Sequence, residues 1–308
     1  MTPERVRVAT RGSILALRQS DWVADRLRAA WPGIDVELVA ANTAGDRDKQ
    51  TPLASLGAGV FVKGVEELLL GGAADLAVHS LKDVPSTITP ALELVAFPVR
   101  EDPRDGLICR VGHNVGQLPH GARLATGSPR RKAQLLAMRP DLEVVPVRGN
   151  LDTRIRKLRE GQFEALVVAV AGLARLGRLD ELSQRFEADV CTPAVGQGTL
   201  VVQCRVGDEE VRRVTAAIDE PACRVESLAE RAFLAALGGG CQLPAGALAR
   251  ARAECLEIVG VVASADGREV ARERLVGPAD DPERVGRQLA ERLKPRASRL
   301  MAVVTAGS

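Results

Sequence analysis

Leu124-Ala125-Thr126-Gly127-Ser128-Pro129-Arg130-Arg131-Lys132 passes from a β run to a helix start without a linker. Thr126 and Gly127 end the run, Ser128 is a helix N-cap residue, and Pro129 suits the first helical position. Backbone N–H groups are unpaired at a helix start and the macrodipole is positive there, so the junction is a natural anion site. The same design recurs at Thr10-Arg11-Gly12-Ser13 before Ile14, at Arg148-Gly149-Asn150 leading through Asp152 and Thr153 to Arg154, and at Ala171-Gly172 leading to Arg175. β runs alternating with helices through such turns read as parallel α/β layers. Ligands of open α/β sheets collect at the carboxyl ends of strands. The pattern therefore predicts one cleft lined by Arg11, Arg130, Arg131, Arg148, Arg154 and Arg175. Arginine suits that place because its planar fork grips a carboxylate through two parallel hydrogen bonds.

Outward from this stretch, β runs are predicted at Val6–Ala9, Val36–Ala40, Leu76–Val78, Leu92–Phe97, Leu124–Thr126, Glu143–Val147, Ala165–Val170 and Leu200–Cys204. Helical spacing predicts Ile14–Ala30, Val62–Leu70, Arg130–Met138, Leu151–Glu160 and Glu209–Ala217. The last third changes character: a helix over Val225–Leu237, two β runs (Glu257–Val262 and Val270–Leu275) joined by the hairpin signal Ala265-Asp266-Gly267, and a helix over Pro282–Leu293. This reads as a small α+β domain. Pro- or Gly-containing boundaries fall at Arg100–Arg104, Thr192–Gln197 and Glu220–Ala222.

Composition narrows the function. A chain of 308 residues exceeds what one core organises, which predicts two or three domains. No apolar run approaches the roughly 18 residues that span a bilayer. No apolar targeting segment follows Glu4, Arg5 and Arg7, so a cytosolic protein is expected. A net charge of +2 and only seven aromatic side chains (Phe 5, Trp 2) weigh against nucleic-acid binding. Lysine supplies only six of the 42 basic residues, a skew that genomic composition also produces; arginine position is the better guide. The six cysteines form no C-x-x-C pair, and His79, His113 and His120 stand in unrelated segments, so no structural metal is expected.

Two further stretches carry chemistry. His79-Ser80-Leu81-Lys82-Asp83-Val84-Pro85 follows a β run. Lys82 can hold an anion. Asp83 reads either as a turn cap before Pro85 or as an ionised carboxylate that shields a cation or passes a proton to a leaving amine. In Gly238-Gly239-Gly240-Cys241-Gln242 the glycines leave backbone uncovered, and Cys241 reads either as a structural loop residue or as a reachable thiol. No Cys–His–Asn arrangement accompanies it. A nucleophile without a general base suggests a lasting attachment point.

Thr10-Arg11-Gly12-Ser13, Ala77–Pro85, Arg100-Glu101-Asp102-Pro103-Arg104-Asp105, Arg148-Gly149-Asn150, Ala169-Val170-Ala171-Gly172-Leu173, Pro193-Ala194-Val195-Gly196-Gln197-Gly198 and Gly239-Gly240-Cys241-Gln242 occur in this order. Together they make the chain closely resemble the porphobilinogen deaminases, or hydroxymethylbilane synthases, over nearly its whole length. The resemblance implies two periplasmic-binding-protein-like α/β domains (residues 1–99 with 198–219, and 100–197) and a C-terminal α+β domain (220–308). It implies a cytoplasmic, monomeric transferase of haem biosynthesis that joins four porphobilinogens head to tail into hydroxymethylbilane, releasing ammonia. It also implies a dipyrromethane cofactor held by a thioether to Cys241. By the same resemblance Asp83 is the catalytic carboxylate, and Lys82, Asp83, Thr126, Ser128, Arg130, Arg131 and Arg154 hold the cofactor. Arg11, Ser13, Gln19, Arg148, Arg154 and Arg175 bind substrate; no metal, nucleic acid or membrane is implied.

The chain departs from the family pattern in the lid segment 42–61, where Thr43-Ala44-Gly45-Asp46 replaces the usual Thr-Arg-Gly-Asp. Gly127, Pro129, Ala236 and Gly238 are further departures. The rival reading is a non-catalytic binding protein of the same two-lobed shape, which accounts for the arginines but not for Cys241.

Overall fold

The computed structural model describes residues 4–41, 59, 62–238 and 244–306, the last six by backbone alone. The lid segment (Gly59 apart) and Cys241 with its neighbours 239–243 lie outside the described residues. The chain divides into two compact units, Met1–Glu101 with Thr199–Arg224, and Asp102–Gly198 with Val225–Ser308.

The first unit is a five-stranded sheet in the order β2-β1-β3-β10-β4, built from β1 (Arg5–Arg11), β2 (Asp35–Ala41), β3 (Leu76–Ser80), β4 (Leu92–Ala96) and β10 (Leu200–Arg205). Period-two alternation sends Val6, Val8, Leu76, Val78, Leu200 and Val202 to one face, where Val23, Ala24 and Leu27 of α1 (Ile14–Ala30) cover them. Ala9 and Ala77 turn to the opposite face and meet Val65 and Leu69 of α2 (Lys63–Leu70). β1 runs parallel to β2 and β3, whereas β10 is antiparallel to both of its neighbours. The sheet is therefore mixed and not wholly parallel, as the alternation alone implied. β10 arrives from the far end of the sequence, so no βαβ crossover fixes its direction.

The second unit holds two sheets. One has the order β7-β6-β8-β5-β9, from β5 (Asp105–Cys109), β6 (Arg123–Ala125), β7 (Glu143–Val145), β8 (Ala165–Ala169) and β9 (Gln184–Arg185), with α3 (Pro129–Met138), α4 (Leu151–Arg159) and α5 (Val170–Arg175). β6 is parallel to β7 and β8, while β5 is antiparallel to β8 and β9. The other is the antiparallel sheet β11 (Ala245–Arg252), β12 (Cys255–Ala263) and β13 (Val270–Pro278). It packs on α8 (Pro282–Ala306) and α7 (Pro221–Ala236) through Phe233, Ala247, Ile258, Leu289 and Leu293. α6 (Glu209–Ala216) completes the first unit against the sheet face that holds Val202 and Cys204.

Two further expectations need correction, and β5 and β11 add to the predicted strands. Ala171 and Gly172 form no turn, because α5 starts at Val170 directly after β8 and takes them into its first turn. α8 passes Pro295 and continues to Ala306, since burial of Ala297 and Leu300 outweighs the amide lost to proline. β5 begins on an aspartate and was not predicted. β11, rich in Ala and Arg, was not predicted either. Its Ala249 and Ala251 N–H groups bond the carboxylates of Glu230 (2.9 Å) and Glu226 (3.1 Å), which lie one turn apart on α7 and cover the sheet edge.

Candidate active site

In the first unit the candidate residues gather where β1 and β3, parallel neighbours, end side by side. Arg11 is the last residue of β1, and Ser13 caps α1 by accepting from Ala16 N–H at 3.3 Å. Gln19, buried one turn further on, bonds Ser80 at the end of β3 through Nε2 (3.0 Å). Leu81–Asp83 then forms a 3-10 turn in which Leu81 is buried while Lys82 and Asp83 are exposed. The turn is pinned by Leu81 N–H to the Thr199 carbonyl (3.0 Å) and by Val84 N–H to the Leu81 carbonyl (3.1 Å). Beneath it, His79 Nε2 bonds Gln203 Oε1 (2.9 Å), Gln203 Nε2 donates to Glu66 (2.9 Å), and Thr89 Oγ1 donates to the same carboxylate (2.9 Å). Burial pushes the His79 imidazole below its ordinary pKa against the pull of Gln203, Glu66 and Asp83, with Arg11 adding to the downward shift. The two last side chains of β3 thus tie the Lys82–Asp83 turn to both helical flanks, Ser80 through α1 and His79 through α2. Sequence reading named His79 but gave no part to Gln203 or Glu66.

In the second unit β7, β6 and β8 are parallel neighbours, and their carboxyl ends carry the other candidates. Thr126 N–H bonds the Val145 carbonyl (3.0 Å) and its Oγ1 accepts from Ser128 N–H (3.2 Å). Ser128 caps α3 by accepting from Arg131 N–H at 3.4 Å. After β7, Gly149 takes a φ of 106°, open to glycine at little cost, and Asn150 caps α4 through Thr153 N–H (2.9 Å). Arg154 Nε donates back to the Gly149 carbonyl at 2.7 Å and latches that turn. Arg148 is half-buried in it. Arg175 closes α5 and donates to the Gly198 carbonyl at 2.7 Å.

Arg130 and Arg131 are buried rather than displayed, both paired with the fully buried Asp105 (2.6 and 2.7 Å). Burial alone would raise the Asp105 pKa, but the two guanidiniums outweigh it and hold it well below the usual carboxylate range. The neighbouring Cys191 thiol is pushed up to about 12, by burial first and by Asp105 second, and is neutral. Asp105 is a site residue that sequence reading quoted in a motif without giving it a role. No local signal marked it, because Arg130 and Arg131 stand 25 and 26 positions further along the chain.

Each unit by itself suits carboxylates: Arg11, Ser13 and Lys82 stand with the exposed Asp83 in the first, and arginine forks, hydroxyls and capped helix starts make up the second. A dipyrromethane bearing acetate and propionate arms fits that donor set. Among the described residues no cluster of His, Cys, Asp and Glu is arranged to hold a metal ion, and no helix is long and apolar enough to cross a membrane.

Donor sets of this kind suit ligands with several carboxylates, and comparison with known proteins gives the class of protein. The family profile described as "Porphobilinogen deaminase, dipyromethane cofactor binding domain" matches residues 6–213, and "Porphobilinogen deaminase, C-terminal domain" matches residues 224–295. The chain is 48% identical over 287 residues to the porphobilinogen deaminase of Roseiflexus castenholzii, covering 93% of this chain and 94% of that one. It is 48% identical over 305 residues to that of Desulforudis audaxviator, covering 98% and 99%. Among solved structures, the methionine-binding protein MetQ is similar with a TM-score of 0.46 and 13% identity, over 70% of this chain and 90% of that chain. The chain belongs to the porphobilinogen deaminase family. Its reaction is that of hydroxymethylbilane synthase, in tetrapyrrole biosynthesis.

Proposed function

We propose that Asp83 carries the chemistry of deamination and that the remaining candidates bind the carboxylates of cofactor and substrate. The observation that carries this reading is the Lys82–Asp83 turn: an exposed carboxylate held from two flanks beside the end of β1 that bears Arg11. When porphobilinogen reacts, its aminomethyl C–N bond breaks and ammonia leaves with the electron pair. The pyrrole nitrogen supplies electrons and becomes positive, and the ionised Asp83 stabilises that charge. The free α-carbon of the preceding ring forms the new C–C bond and then loses its proton. Asp83 takes the proton released from that carbon and passes it to the leaving amine of the next porphobilinogen, which returns it to the ionised form.

The dipyrromethane supplies the ring from which the pyrrole chain is extended, and Cys241 anchors it through a thioether. Lys82, Thr126, Ser128, Arg130, Arg131 and Arg154 hold its carboxylates. Arg11, Ser13, Gln19, Arg148, Arg154 and Arg175 hold those of incoming porphobilinogen. We take the chain to be a cytoplasmic monomer of three domains, 1–99 with 198–219, 100–197 and 220–308. That each of the three sheets packs its own apolar clusters supports the division.

Asp83→Asn is expected to fold, to keep the dipyrrole increment in its intact mass, and to lose at least about 100-fold in turnover. Ammonia release at the wild-type rate would remove Asp83 from the mechanism. Cys241→Ser is expected to lose the mass increment, and an unchanged increment would show that another residue carries the cofactor.

A further inference from the structure

The two consecutive arginines of α3 differ in what Asp105 leaves them. Asp105 Oδ1 accepts from Arg131 Nε and from Gln197 Nε2, each at 2.9 Å, and stands 2.7 Å from Arg131 Nη2, which donates to Gln197 Oε1 at 3.5 Å. Arg131 Nη1 is spent on the Val167 carbonyl at 3.2 Å. Arg130 meets Asp105 end-on instead. Its Nη1 donates to Asp105 Oδ2 (2.6 Å) and to the Thr192 carbonyl (2.7 Å), and lies 3.8 Å from Cys191 Sγ. Its Nε and Nη2, the pair that grips a carboxylate side-on, take no hydrogen-bond partner among the described residues, although the residue is only 5% exposed. The stem has no freedom to compensate, because β11 passes so close that a Cβ at Gly246 would stand 2.8 Å from Arg130 Cδ.

Charge leads to the same conclusion. With Cys191 neutral, the buried group of Asp105, Arg130 and Arg131 carries one uncompensated positive charge, which a protein interior disfavours unless an anion joins it. The start of α3, capped by Ser128, adds its own preference for an anion at the same end of β6.

We propose that Asp105 is a positioning residue: it closes the fork of Arg131 and holds Arg130 end-on, so that Arg130 alone offers a bidentate fork to a ligand carboxylate. This rests on the reading of Arg130 as a cofactor ligand and divides between two residues a role that family resemblance gives to both. Asp105 itself touches no ligand.

The test follows unloaded full-length chain by intact mass as it gains the dipyrrole increment from porphobilinogen, well below the thermal midpoint of each variant. Asp105→Asn keeps the side-chain shape but turns an amide N–H toward a guanidinium. Arg130→Lys keeps the charge but has no fork. Each is expected to gain the increment at least about tenfold more slowly, the weight of one charge-assisted contact. A purely structural role for Asp105 would lower the midpoint yet leave the folded chain loading at the wild-type rate, and that result overturns the inference. Slow loading in Arg130→Lys with normal loading in Asp105→Asn overturns it equally. Should Asp105→Asn fail to fold, Arg130→Lys decides, since normal loading without a fork is incompatible with the proposal. A wild-type chain that never gains the increment overturns the cofactor reading, and this inference with it.

Discussion

Gln203 has one amide orientation that satisfies its neighbours. Its Nε2 must donate to Glu66, so its Oε1 must accept, and the partner that donates is His79 Nε2–H. His79 is thereby fixed as the Nε2–H tautomer directly before the Ser80–Asp83 turn. Gln203→Leu would leave a buried imidazole N–H without an acceptor and take one donor from Glu66. The expected cost is about 1–3 kcal/mol, read as a shift in urea midpoint at unchanged slope. The double variant with His79→Leu removes both ends of that bond and is expected to lose less than the sum of the two single changes. Strict additivity would show that the bond contributes nothing. At this scale the caps Ser13 and Ser128 were legible, because a cap acts on a backbone N–H three positions away. Gln203 and Asp105 were not. The partners of Gln203 lie 124 and 137 positions away, and Asp105 reads as one more polar residue of a linker until the fold brings Arg130 and Arg131 to it.

Elements were legible where local chemistry and tertiary burial agree. α1 runs over the predicted Ile14–Ala30 because Ser13 caps it and Val23 and Leu27 bury at helical spacing. β5, β11 and the end of α8 failed because packing overrode local preference. Gly286 in α8 shows the same conflict in a form that can be measured. Helix propensity alone says that Gly286→Ala should stabilise by about 1 kcal/mol. A Cβ there, however, would overlap the Ala229 carbonyl oxygen of α7 and stand 3.0 Å from Phe233 N, backbone atoms that cannot swing aside. Overpacking of this kind costs about 1–3 kcal/mol, so the clash outweighs the propensity gain. The variant is expected to melt several degrees below wild type, at about 2–4 °C per kcal/mol. A rise in midpoint would mean that α7 and α8 separate freely, which would weaken the account of that core.

Across the whole molecule, 40 acidic residues nearly balance 42 basic ones, and much of the balance is made by specific pairs whose proton equilibria fix how stability depends on pH. Burial alone would raise Asp75, Asp102 and Asp105, but their arginine partners outweigh it and lower all three. Hydrogen bonds from Arg139, Arg123 and Arg284 hold Asp141, Glu164 (about 2) and Asp281 down more directly. In the unfolded chain these carboxylates take up protons near pH 4, while in the folded chain they resist. The stabilisation they provide is thus present above about pH 4 and is lost as pH falls below it. His79 is a base lowered by burial, with Glu66, Asp83 and Arg11 as its charged neighbours, and its effect has the same sign in an earlier window. Below about pH 6.5 the unfolded chain protonates this histidine and the folded chain does not, so stability starts to fall there. The melting midpoint at constant ionic strength is therefore expected to decline in two stages, gently below about pH 6.5 and steeply below about pH 4. His79→Gln keeps a donor for Gln203 but does not titrate, and it should flatten the first stage while leaving the second. Asp105→Asn, having no carboxylate to protonate, should make the second stage shallower without touching the first. A wild-type midpoint that rises on acidification, or a His79→Gln profile parallel to wild type between about pH 6.5 and pH 5, would show that His79 is not held neutral in the fold.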